Sequence, residues 1–233
     1  MNPSLAVPGE LPADGGTSLT EQATVLSVHV GVPRTRKTAD GTSWRSAIFK
    51  ETVGQAYASR SGLAGDRQAN LRFHGGPDKA ICCHASEHYP RWQQLVGQPI
   101  PPGGFGENLT TRGWSEDMAC IGDVVRIGAA LVEVSQPRVP CINVARRWES
   151  PELLAEVARL GFAGFYLRVL EEGDVTAGDA ILLQKRRHPR FSVLRVNEIL
   201  FGDGRSDEAL LELIGLDELA GEIKNRASRL LTR

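Results

Sequence analysis

Apolar and polar positions along this chain fall into short runs, and the spacing within each run sets the element it predicts. Thr24 to Val30 sets Val25, Ser27 and His29 against Leu26, Val28 and Val30, the period of two expected of a strand, and Pro33 stops it. Asp40-Gly41 is a turn signal that predicts a hairpin into Trp44 to Val53. Further strands are predicted at Leu71 to Phe73, Ile121 to Gly128, Leu131 to Val134, Gly164 to Leu170 and Ala180 to Gln184, with Gly-Asp turns between several of them. Helical spacing is confined to fewer stretches. Ser86 to Leu95 predicts a short helix with Ser86 as its cap, and Pro151 to Leu160 sets Leu153, Leu154, Val157 and Leu160 on one face behind a first-turn proline. Beyond Pro189, Val193 to Phe201, Asp207 to Ile214 and Asp217 to Leu231 predict three short helices parted by Gly202, Gly204 and Gly215.

Many short strands punctuated by Gly, Pro and Asp, without regular βαβ alternation, predict a mainly β fold: an irregular β-barrel with short helices. The division that follows is a mobile extension over residues 1–22, rich in Pro and Gly, a barrel domain over 23–187, and a three-helix appendage over 188–233. No tail helix can bury its apolar face alone. The tail is therefore expected to close over the barrel or to pair subunits in a homodimer.

Composition removes several classes of function. The 233 residues carry 27 Lys and Arg against 28 Asp and Glu, a formal net charge of -1, so no global field draws nucleic acid or anionic lipid. The three-helix tail invites a DNA-binding reading, but from His188 onward it holds 7 Lys and Arg against 8 Asp and Glu, which is no phosphate footprint. No apolar run approaches the ~20 residues of a membrane span, and the first residues lack the basic-then-apolar order of a signal peptide; a cytoplasmic location is the expectation. The four cysteines show no CxxC spacing, so reduced thiols are expected, with Cys82, Cys83 and Cys120 structural.

The candidate chemistry centres on Gln136-Pro137-Arg138-Val139-Pro140-Cys141. Two prolines stiffen this segment in an extended form and place Cys141 just past a strand end, with Arg138 as a nearby permanent cation. A metal ligand, a nucleophile or a buried structural thiol are all open for Cys141 on these residues alone. No histidine lies between Leu131 and Trp148, so a nucleophile would need a base folded in from elsewhere, such as His74. His74-Gly75-Gly76-Pro77-Asp78-Lys79 is a tight turn whose backbone can approach a ligand, with Lys79 either a point charge for phosphate or solvated. In Gly106-Glu107-Asn108, Asn108 can bind a ligand edge, while Glu107 either organises the loop or relays a proton. Asp66 and Arg67 either pair with each other or face the pocket.

Gly65-Asp66-Arg67, His74 to Ala80, Phe105 to Leu109 and Gln136 to Cys141, in that order and spacing, resemble the MOSC domain family. Gly164 to Leu170 followed by Gly178-Asp179 resembles the YiiM-type subfamily, which appends a three-helix tail. The resemblance spans about Thr24 to Leu231. It implies a MOSC-type barrel that binds molybdenum cofactor (Mo-molybdopterin), with Cys141 as the ligand to the metal. Asp66, Arg67, His74, Gly75, Gly76, Lys79, Gly106, Asn108 and Arg138 are then the cofactor-pocket candidates, with His74 and Glu107 as catalytic proton groups. The implied activity is reduction of N-hydroxylated small molecules, such as hydroxylamino purine analogues, by electrons from an external reductase. A non-catalytic cofactor or sulfur carrier is the alternative. The chain departs from the family pattern at Ile81-Cys82-Cys83-His84, where relatives more often carry aromatic or small apolar residues.

Overall fold

The computed structural model of the chain describes residues 23–38 and 41–232; the expected N-terminal extension lies outside these residues. The first half contains β1 (Thr24–Val30), β2 (Arg34–Lys37), β3 (Ser43–Ser46), β4 (Glu51–Val53), β5 (Gln55–Ser59), β6 (Gly62–Leu63), β7 (Ile81–Ala85), α1 (Tyr89–Val96) and β8 (Leu109–Arg112). The second contains β9 (Val124–Ile127), β10 (Ala130–Pro137), α2 (Ile142–Trp148), α3 (Pro151–Leu160), β11 (Phe165–Glu171), β12 (Gly173–Thr176), β13 (Ile181–Lys185), α4 (Val193–Phe201), α5 (Asp207–Ile214) and α6 (Gly221–Leu231).

The main sheet has eight strands in the order β13-β9-β10-β11-β7-β8-β1-β4, mostly antiparallel, with β7 and β8 parallel. The expected closed barrel is not formed by a continuous ladder. Among the described residues one bridge, Thr24 to Ala180, with the bonds Val25 N to Asp179 O (2.9 Å), Gly178 N to Val25 O (2.7 Å) and Ile181 N to Ala23 O (2.8 Å), links β1 to the start of β13. The fold is a mixed, sheet-dominated one with several helices. The strict alternation read in β1 is broken by a bulge between Val25 and Ser27, which lets Val25 and Val28 both face the core.

β10 is the strand on which the site is built. It runs past the expected Val134 end because Gln136 and Pro137 stay in register with Tyr166 and Phe165 of β11, and Arg138 N then bonds Gly164 O at 3.0 Å. It is almost wholly buried between β9 and β11. Several local expectations are corrected. Leu71 to Phe73 is an exposed turn, not a strand, because Leu71 and Phe73 meet no sheet face. The segment Trp44 to Val53 splits into β3, paired with β2, and β4, paired with β1. Ser86 caps nothing through its side chain, whereas Ser150, Ser192 and Ser206 each accept the backbone N–H three residues on and start α3, α4 and α5. α6 begins at Gly221, later than the expected Asp217.

Two apolar cores result. The larger runs from the sheet into the tail: Val193, Ile199, Leu210, Leu213 and Ile223 belong to the same buried cluster as Val25, Val132 and Leu167. The tail is thus packed into the sheet's core. The smaller core joins Trp44 and Ile48 to Trp92, Phe105, Val144 and Leu153 from the loops and α1 to α3. No helix among the described residues is long and apolar enough to cross a membrane.

Candidate active site

Strand register makes the floor of the site. Gln136 of β10 is the partner of Tyr166 of β11, which is the partner of Cys82 of β7, and directly opposed residues point to the same face. Asn108 extends the row by accepting Cys82 N at 3.0 Å through Oδ1. All four residues line a cavity of about 610 Å³. Beyond β10 the chain stays extended through Cys141 (φ -109°, ψ 138°), as its two prolines dictate, and then turns into α2, a helix the sequence pattern missed. Cys141 is half-buried in the cavity wall, and its Sγ lies 3.8 Å from Nε2 of His74.

His74 is brought there by the turn that follows it. Gly75 and Gly76 both sit at φ +88°, a region closed to most side chains. Burial, then the nearby Arg138 and Lys79, lower the His74 pKa from 6.5 to about 4. Gly106 also has positive φ (+76°), and a Cβ there would meet Ile48 Cγ1 at 2.8 Å. Gly75 and Gly106 line the cavity; Gly76 and Glu107 do not.

Arg138 is buried. Its Nη2 donates to Phe105 O at 2.6 Å, tying the cysteine segment to the Gly106 loop, while Nη1 has no protein partner. Burial opposes its charge, but nearby Cys82, Tyr166, Glu107 and Cys141 outweigh that and hold its pKa above the ordinary arginine value. Gln136 leaves Oε1 equally unpartnered. Burial raises the Cys82 thiol against the opposing field of Arg138, so Cys82 faces the cavity as a neutral thiol.

The remaining candidates separate into wall and frame. Asp66 does not pair with Arg67. It accepts from Lys50 (2.6 Å), Gly31 N (2.8 Å) and Asn108 Nδ2 (3.0 Å), so Asp66 and Asn108 stiffen each other inside the wall. Arg67 is left exposed at the mouth. Lys79 is neither solvated nor free: Nζ donates to Phe73 O at 3.0 Å and to the Glu222 carboxylate of α6. Glu107 is fully buried behind the wall, where it accepts from Gly103 N (2.7 Å), Thr110 Oγ1 (2.8 Å), Phe105 N (3.1 Å) and the Tyr89 hydroxyl. Its four partners are all protein donors, which is the geometry of a loop organiser.

Sequence reasoning missed Gln136 as a lining residue in its own right, and missed Tyr166, Arg45, Lys50, Arg146, Glu222 and Arg226. Only strand register could have found Tyr166, and nothing local marks Glu222 or Arg226. The resulting charge is one-sided. Lys50 is matched by Asp66 and Lys79 by Glu222, but Arg45, Arg67, Arg138, Arg146 and Arg226 line the cavity with no ion-pair partner among the described residues. An anion is the chemistry such a wall accepts.

The MOSC domain family matches residues 70–182. The Bacillus subtilis (strain 168) protein YflK is 40% identical over 195 residues, 83% of this chain and 88% of that protein. A protein named Reductase from Gibberella moniliformis (strain M3125 / FGSC 7600) is 36% identical over 200 residues, 83% of this chain and 35% of that longer protein. The crystal structure of YiiM from Geobacillus stearothermophilus superposes with a TM-score of 0.76 at 31% identity, covering 90% of this chain and 99% of that one.

Proposed function

Because the chain belongs to the MOSC domain family, we propose that it is an oxidoreductase that holds a molybdenum cofactor through Cys141 and reduces N-hydroxylated compounds with electrons from a separate reductase. The observation that carries this reading is the cavity itself: a half-buried thiol and a buried guanidinium with one unpartnered nitrogen open onto the same cation-rich space. The donor set fits the group. Among the described residues no cluster of three or more His, Cys, Asp or Glu is poised to hold a bare ion, whereas one thiolate is a soft ligand suited to a redox metal that arrives with most of its own ligands. A phosphate-bearing cofactor also gives Arg138 Nη1 the acceptor it lacks.

When bound, the cofactor supplies the two-electron chemistry that cleaves the N–O bond. The reaction consumes two electrons and two protons, leaving the nitrogen as an amine and the oxygen as water. The chain's own residues bind and orient. Cys141 is held by the stiff 137–141 segment, Arg138 takes negative charge, and the Gln136–Tyr166–Cys82 floor offers hydrogen-bonding atoms to a flat ring. His74, neutral at pH 7, can hold a proton on one ring nitrogen and accept with the other, which suits passing a proton to a departing hydroxyl. Glu107 fixes the Gly103–Thr110 loop from behind.

The test is molybdenum and pterin content of protein purified from cells that make the cofactor. Wild type is expected to carry both and Cys141→Ala to lose the metal; equal molybdenum in the two would refute the ligand assignment. The 3.8 Å approach of His74 to Cys141 favours a second reading, a sulfur carrier with a persulfide on Cys141, because it gives the thiol a base. Cyanide-releasable sulfur without molybdenum would select that reading instead.

A further inference from the structure

The cavity is more cationic than one phosphate requires, and its cations lie at two depths. Arg138 is buried beside the thiol segment, and one phosphate ester would use its free Nη1. Four more arginines, Arg45, Arg67, Arg146 and Arg226, are exposed at the same cavity and come from β3, the segment after β6, α2 and α6. None of the four makes an ion pair with a described carboxylate, and what sets them apart from other unpaired arginines of the chain is that they share one cavity. In a chain of net charge -1 this is a local accumulation of positive charge, offset at Arg226 by Glu222 of the same helix but in net excess, and like charges in excess oppose folding.

How two of them are held points to a ligand. The Arg226 guanidinium lies 4.3 Å from the Phe201 ring centroid and that of Arg146 5.8 Å from Trp44. A guanidinium over a ring keeps its N–H edge for acceptors; Arg146 gives one N–H to Asn143 Oδ1 at 3.3 Å and has others left, and Arg226 has no acceptor among the described residues. The neighbouring lining is apolar and open: Phe73 is 58% exposed, Ile142 53% and Val139 40%. A flat ring covers such surface, and a dianion answers the arginines. The unpartnered Oε1 of buried Gln136 adds an acceptor deeper in the same cavity for an N–H or N–OH donor.

We propose that the mouth of this cavity is a phosphate subsite, with Arg226 and Arg146 as its principal groups, and that the substrate class is the N-hydroxylated nucleotide in preference to the free base. This rests on the reductase reading above and adds to it a specificity that the cofactor does not explain. The base would lie against Phe73, Val139 and Ile142 with its N-hydroxy group towards Cys141, and its phosphate would reach the rim. The reducing electrons come, as before, from a separate reductase.

The test uses cofactor-loaded protein with reduced methyl viologen as donor and three substrates: hydroxylaminopurine, its riboside and its riboside monophosphate. The monophosphate is expected to exceed the free base in kcat/KM by about tenfold or more, the worth of one good charge-assisted contact. In Arg226→Gln that ratio is expected to collapse towards one, in Arg226→Lys to recover in part, and molybdenum content to match wild type in both. Inorganic phosphate should compete with the monophosphate and not with the free base. Equal kcat/KM for base and monophosphate in wild type would overturn the proposal, as would loss of molybdenum in Arg226→Gln, which would assign the arginine to the cofactor. If no N-hydroxy compound is reduced, the reductase reading fails, and binding then decides the subsite. Adenosine monophosphate binding tighter than adenosine, with the difference lost in Arg226→Gln, would keep it; equal binding would end it.

Discussion

Glu107→Gln separates a structural carboxylate from a catalytic one at the residue where the two roles diverge most. Oε1 accepts from the Tyr89 hydroxyl, Gly103 N and Thr110 Oγ1, and Oε2 accepts from Phe105 N. A glutamine can keep its carbonyl oxygen on the three-donor side only by turning its NH2 towards the Phe105 N–H. One bond is then lost and a buried donor stranded, a cost of about 1–3 kcal/mol, while the other three bonds lose charge assistance at roughly half their strength, or about 1 kcal/mol each. The expected loss of stability is about 4–6 kcal/mol, read from urea unfolding at pH 7. The pH dependence carries a second signature. Burial pushes the Glu107 carboxyl up, but His84, the Tyr89 hydrogen bond and His29 outweigh it and hold its pKa below the ordinary 4.5. A depressed carboxyl contributes stability that is complete above its unfolded pKa and is lost as pH falls through the folded value. Wild type should therefore lose stability more steeply than Glu107→Gln below about pH 4.5. A variant within about 1 kcal/mol of wild type that nonetheless loses activity would refute this account and restore Glu107 as a proton relay.

Two further outcomes follow from the buried framework. His84 is stacked on Phe105 at 4.4 Å with both ring nitrogens unpartnered, and burial, against the opposing fields of Glu107 and Glu116, lowers its pKa from 6.5 to about 4. The unfolded chain binds this proton first, so stability present above pH 6.5 is lost as pH falls towards 4, by about 3 kcal/mol at about 1.4 kcal/mol per tenfold. His84→Leu should flatten that part of the urea midpoint profile and cost little at pH 7; superimposable profiles would contradict it. Truncation after Arg187 should give no cooperative thermal unfolding, because Leu210, Leu213, Leu219 and Ile223 are buried in the sheet's own core and removing even one such side chain costs about 2–5 kcal/mol. A truncated chain that still melts cooperatively would show the tail to be a true appendage.

The elements that sequence placed well are those whose signal is local. α3 starts at Pro151 and ends at Leu160 as its proline and apolar face predict, and α4 and α5 match through their apolar spacing, each starting behind a serine that caps it. The placement of Cys141 after a strand end also holds, since two prolines limit the backbone wherever they occur. Failures mark places where neighbours override local preference. β5 and β12 lack strong apolar runs and exist by pairing with each other, Ala58 to Gly173 and Ala56 to Val175. The apolar Leu71-Arg72-Phe73 stretch has strand-like residues but no partner strand, and remains a turn at the cavity mouth.

At the site, sequence by itself determined the chemistry available: one thiol on a rigid segment, a nearby arginine, a glycine-flanked histidine and a glycine-containing acidic loop. These depend on covalent neighbours and backbone restrictions, which travel with the sequence. Tertiary structure decided which of them meet. It brought His74 to 3.8 Å from Cys141 across 67 positions, withdrew Glu107 behind the wall, and spent Asp66 on Lys50. It also gathered Arg45, Arg146 and Arg226 around a cavity in a chain whose total charge is close to zero. The reason is that Coulomb fields and hydrogen bonds act over ångströms in space, and distance in space between residues far apart in the chain is set by strand register and core packing.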